Sequence, residues 1–131
     1  MYIRFALQRF NNDSGVRDGL FSAAYELLES YELSADQISL LKEKLDWFEQ
    51  NLRTPNRFNR SKSKGSYRRT TKGLSWFKDT AIQHISAARD LTAVLKDHGW
   101  FVDELTTPRP GYIVYEDEHQ VVAEPFRETR A

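Results

Sequence analysis

At 131 residues the chain fits one domain with a genuine core, and three Trp, six Tyr and eight Phe within 40% hydrophobic content argue against a disordered segment. It has no cysteine, which excludes disulfides, thiolate metal ligands and a cysteine nucleophile. Lys/Arg and Asp/Glu balance at 19 each, but residues 53–73 hold eight cations and no acid, so the neutral total hides a basic connector between two acidic parts.

No apolar run approaches the roughly 20 residues that span a bilayer, and Met1-Tyr2-Ile3-Arg4-Phe5 leads straight into a strand-like pattern. The expectation is a cytoplasmic protein with no membrane partner. Residues 2–10 alternate as a strand, with Ile3, Phe5 and Leu7 opposite Arg4 and Gln8. Asn11-Asn12-Asp13-Ser14-Gly15 breaks it. A helix is expected from about Val16 to Ser30, with an apolar stripe of Val16, Leu20, Ala23 and Leu27 that Gly19 weakens.

The next helix has a legible start. Ser34 stands three residues before Gln37, the spacing at which hydroxyl and amide side chain each satisfy the other's free backbone N–H. Ile38, Leu41, Leu45, Phe48 and Leu52 follow at core spacing, with Trp47 beside them, and Pro55 ends the run. Residues 53–73 lose periodicity and read as a basic, mobile connector. Gly73 to Lys78 reads as a short buried strand, and Asp79 or Thr80 can cap a helix whose inward face is Ile82, Ile85, Ala88, Leu91, Val94 and Leu95. Lys96 and His98 suit its negative pole, and Gly99 can close it in the left-handed conformation. Trp100 to Thr106 is the next strand.

Residues 108–125, bounded by Pro108 and Pro125, read as a β-hairpin. With Asp117-Glu118 as a two-residue loop, Glu116 opposes His119, Tyr115 opposes Gln120 and Val114 opposes Val121; the usual glycine is missing, which leaves room for a longer turn. The whole is one α+β domain, residues 1–131. It is a two-layer α/β arrangement with a mixed, mostly antiparallel sheet in the order β-α-α-(basic loop)-β-α-β-β-β.

Two constellations carry chemistry. Arg53, Arg57, Arg60, Lys62, Lys64, Arg68, Arg69 and Lys72, with Phe58 and Tyr67 among them, could follow a phosphate backbone while the rings stack on bases; a solvated loop docked on the acidic halves is the commoner explanation, since the chain as a whole is neutral. Tyr115, Glu116, Asp117, Glu118 and His119 put carboxylates beside an imidazole, though consecutive strand residues point to alternate faces. Trp76, Lys78, His84, Trp100 and Tyr112 complete the candidate interaction or pocket set; core packing is the default for the two tryptophans, and His84 sits between Ile82 and Ile85 at a core border. No nucleotide-binding, nucleophile-elbow or zinc-helix motif is present, so no catalytic, cofactor-binding or metal-ligating residue is assigned.

Through Trp76-Phe77-Lys78, His84-Ile85, the Trp47-Phe48 helix end and the Arg109-Pro110-Gly111-Tyr112-Ile113-Val114-Tyr115 hairpin, the chain resembles a group of small uncharacterised bacterial proteins. The resemblance implies a bacterial cytosolic source and no activity. The functional expectation is a non-enzymatic interaction or accessory module, with a protein partner or a second copy. A nucleic-acid-binding protein using residues 53–73 is the alternative, and an enzyme with a site near the hairpin tip comes third.

Overall fold

The computed structural model describes residues 1–11, 16–54, 73–129 and 131. Its elements are β1 (Tyr2–Asn11), β2 (Val16–Gly19), α1 (Leu20–Leu28), α2 (Ala35–Asn51), β3 (Leu74–Lys78), α3 (Ile82–Asp97), β4 (Val102–Thr107), β5 (Tyr112–Glu116) and β6 (Gln120–Glu124). The fold is α+β, with three helices and a six-stranded sheet among the described residues, and the five strand pairings found there are all antiparallel. The expectation of a mobile connector falls outside the described residues, save for Arg53, Thr54 and Gly73 at its ends.

β1 is the hub. One of its edges pairs with β4 from Tyr2 to Leu7. The other pairs with β3 at Tyr2 and Ile3 and then with β2 from Ala6 onward, which leaves a gap in the sheet beside Arg4 and Phe5. Beyond β3 come β6 and β5. β3 and β4 are both antiparallel to β1, so they run parallel to each other with β1 between them, and the strand–helix–strand unit through α3 spans its neighbour.

The alternation along β1 sorts its side chains as expected. Ile3, Phe5 and Leu7 join Leu20, Leu27, Leu41, Leu45, Phe48, Phe77, Ile85, Leu91 and Leu95 in the core between sheet and helices. The opposite face carries a second cluster of Leu74, Trp76 and Val121, packed by Tyr2, Val16, Leu105 and Ala131. The C-terminus reaches this face, where the Arg17 N–H donates to the Ala131 carbonyl at 3.4 Å.

The Ser34–Gln37 capping box is formed, with both reciprocal bonds in place, and Gly99 closes α3 at φ +80. Three local expectations are corrected. Val16 to Gly19 is strand rather than helix: the open edge of β1 accepts it, the Arg17 guanidinium donates to the Leu7 and Ala6 carbonyls, and a helix through Gly19 would lose about 1 kcal/mol relative to alanine. The α3 N-cap is Ala81, without a side-chain cap bond, and Asp79 lies two residues upstream, where it meets the N-terminal ammonium at 3.3 Å. Ile82 therefore starts the helix on its outer face and is 73% exposed, outside the predicted core.

Candidate functional site

The hairpin turn is built around one carboxylate. Asp117 Oδ1 accepts from the backbone N–H groups of His119 and Gln120 at 2.8 and 3.0 Å, and Oδ2 accepts from the Tyr115 hydroxyl at 2.8 Å and the Gln120 amide at 3.1 Å. This side-chain turn supplies the geometry that a glycine would otherwise give, and it lengthens the loop. Glu116 now opposes Val121 and Tyr115 opposes Val122, with an irregularity between Ile113 and Tyr115, so the expected two-residue register is shifted. Burial alone would push the Asp117 carboxyl up; the hydrogen bonds outweigh it and hold the group below the usual carboxylate range.

The same turn grips the helical layer. Gln120 is 1% exposed; its amide donates to the Arg53 carbonyl at 2.7 Å, and its carbonyl accepts from the Ser75 hydroxyl at 2.8 Å. One buried side chain thus ties together the two ends of the basic stretch. His119 stacks on His84 with ring centroids 4.2 Å apart, and Trp47 meets His84 edge-on at 5.1 Å. His84 Nε2 lies 2.8 Å from the Asn51 carbonyl, which can only accept, so Nε2 carries the proton.

The predicted residues therefore divide. His84, Tyr115 and His119 gather at the turn, while Lys78 pairs with Glu116 at 2.5 Å. Tyr115 and Glu116 are consecutive strand residues, so that ion pair lies on the opposite face of the sheet from the Tyr115–Asp117 bond. The Glu116 carboxylate raises the Lys78 ammonium above its ordinary value. Trp76 is 1% exposed and belongs to the second core cluster, which removes it from any docking surface. Trp100 is half-buried with the Arg9 guanidinium 5.7 Å from its ring, and Tyr112, 48% exposed, meets Phe126 edge-on. Of the basic set, Arg53 is described; Arg57, Arg60, Lys62, Lys64, Arg68, Arg69 and Lys72 lie outside the described residues. Among the described residues no group of three or more His, Asp or Glu could hold a metal ion.

Two concave features escape sequence reasoning. A groove of about 680 Å³ runs between α2 and α3, floored by Leu40, Trp47, Ile82 and Ala87 and rimmed by Glu43, Lys44 and Asp90. Leu40, Lys44 and Trp47 follow helical spacing, but the stripe overlaps the core stripe closely enough that only the packing separates them. A second cavity of about 250 Å³ occupies the gap beside Arg4, between β2, the start of α1 and the start of β3. Its one sequence signal is an arginine between Ile3 and Phe5 on a strand. No family model, curated protein or solved structure matches this chain.

Proposed function

We propose that this chain is a non-enzymatic interaction module that acts as a homodimer through its α2–α3 face. The observation that carries the reading is the exposure of Ile82 (73%) and Leu40 (44%) in one groove with Trp47. Apolar side chains that project together into water are a standing cost, which burial against another surface relieves. A second copy suits the groove because its rim holds both signs: a two-fold axis can set Lys44 of one molecule against Glu43 or Asp90 of the other. The β5 edge is a poorer candidate, since its irregularity at Ile113–Tyr115 disrupts the ladder that an added strand would need. Light scattering coupled to size exclusion is expected to give a dimer mass at micromolar concentration, and Ile82→Glu is expected to give a folded monomer. A wild-type monomer throughout that range, or an unchanged dimer in the variant, would sink the reading.

A second reading, nucleic-acid binding by the basic stretch, rests on Gln120. Because its side chain bonds both Arg53 and Ser75, the described residues that flank the basic stretch are held side by side. Single-stranded oligonucleotide binding followed by fluorescence anisotropy is then expected to weaken steeply with salt, in proportion to the phosphates neutralised. Binding absent at low salt would remove it. The third reading, an enzyme at the hairpin tip, draws little support, since Asp117, Gln120, Lys78 and Glu116 are engaged with one another. No helix among the described residues is long and apolar enough to cross a membrane.

A further inference from the structure

The cavity beside Arg4 combines three features that have no common structural purpose. Arg4 is only 5% exposed, its Nη2 donates to the Arg17 carbonyl at 2.6 Å, and its Nη1, though buried, has no hydrogen-bond partner among the described residues. The guanidinium lies at the start of α1, close enough that a Cβ on Gly19 would stand 3.7 Å from Nη2. α1 begins with Gly19 as N-cap, with no side-chain cap bond from it and no acidic residue in its first turn, so the positive pole of the helix faces this cavity. The remaining wall is largely apolar, including Phe5, Leu20, Leu74 and Phe77.

The nearby charges are accounted for. Asp18 lines the cavity; its carboxylate pairs with Arg9 at 3.0 Å and its charge also favours the Arg4 guanidinium, without bonding Nη1. Arg17, also on the wall, directs its guanidinium to the Leu7 and Ala6 carbonyls and to Asp103. Burial, followed by repulsion from Arg17 and only partly offset by Asp18, pulls the Arg4 guanidinium down to about 10, which still leaves it charged at neutral pH. A buried cation with an unused donor beside a helix N-terminus is costly unless a negative charge joins it.

We propose that this cavity binds a small monocarboxylate, its head group on Arg4 Nη1 and the α1 N-terminus and its apolar body against Phe5, Leu20 and Phe77. A carboxylate fits better than inorganic phosphate because the apolar wall offers a dianion nothing in place of its water. A cavity of about 250 Å³ has room for roughly eight water-sized atoms, the size of a six-carbon acid.

Isothermal titration of the full chain with hexanoate, hexanamide and inorganic phosphate at matched ionic strength tests this. Hexanoate is expected to saturate, with hexanamide weaker by about tenfold or more and phosphate not saturating. Arg4→Met, which keeps the stem and removes the charge, is expected to lose hexanoate binding by a similar factor. Gly19→Asp provides a second route: Gly19 has ordinary extended angles (φ −84, ψ 171) and ordinary space for a Cβ, so an aspartate there caps α1 and holds its own carboxylate against Arg4. That variant is expected to melt higher than wild type and to bind no hexanoate. Equal binding of hexanoate and hexanamide, phosphate saturating where hexanoate does not, or either variant binding hexanoate as wild type does would overturn the proposal. Should Arg4→Met fail to fold, Gly19→Asp alone decides.

Discussion

Gly111→Ala is expected to be strongly damaging for so small a change, lowering stability by about 3 kcal/mol or more. Gly111 has φ +143, a conformation that side-chain-bearing residues rarely adopt. A Cβ there would stand 2.1 Å from the Glu124 carbonyl oxygen and 2.9 Å from the Pro125 Cα. Both obstacles are backbone, so no side chain can swing aside. The strand that must move is β6, which pairs with β5 on one edge and β3 on the other. A thermal melt is expected to fall by on the order of 10 °C for a chain of this size. A shift of only a degree or two would mean that the Gly111–Glu124 approach is not as close as described.

Gln120→Leu is expected to cost about 2–3 kcal/mol, although leucine is apolar and of similar size. The side chain makes three bonds, to Asp117, Arg53 and Ser75, and its loss leaves the partly buried Ser75 hydroxyl and one Asp117 oxygen short of a partner. It also frees the Arg53 carbonyl, so amide exchange at Leu52 and Arg53 is expected to rise beyond what the global loss accounts for. The change acts on pH dependence as well. A carboxyl held below its unfolded value stabilises the fold above that value and loses this contribution as pH falls through the folded one. Asp117 is such a group, and without the Gln120 amide its folded value moves up toward the ordinary one, so the acid side of the stability curve, below about pH 4, should flatten. Urea melts at neutral and acid pH measure both effects; a variant as stable as wild type at neutral pH would show that Gln120 fills space and does not clamp.

These two residues mark where sequence reasoning reaches its limit. Gly111 follows Pro110 and reads only as a turn glycine; its essential neighbour, Glu124, is brought to it by the hairpin register. Gln120 reads as a polar strand residue, and its partners Arg53 and Ser75 are distant in the chain. The shifted register itself came from Asp117, whose carboxylate builds a turn that no dipeptide rule anticipates. Of the candidate site, His84 and His119 stack on each other and Tyr115 bonds the Asp117 of the same turn, whereas Trp76 is core and the Lys78–Glu116 pair lies on the other face of the sheet.

What the amino-acid order determined by itself is what depends on neighbours within about one turn or one pleat. The Ser34–Gln37 box, the left-handed stop at Gly99, the core stripes of α2 and α3, and the inward set Ile3, Phe5 and Leu7 are all of this kind, because capping, helical period and strand alternation are local forces. What only the tertiary structure decided depends on edges and faces supplied from far away. The β1 edge turned Val16–Gly19 from helix into strand, and the way α3 sits on the sheet put Ile82 in solvent at its start. The meeting of β1, β2, α1 and β3 buried Arg4 with an unused donor, and long-range pairing alone sets that burial and charge environment.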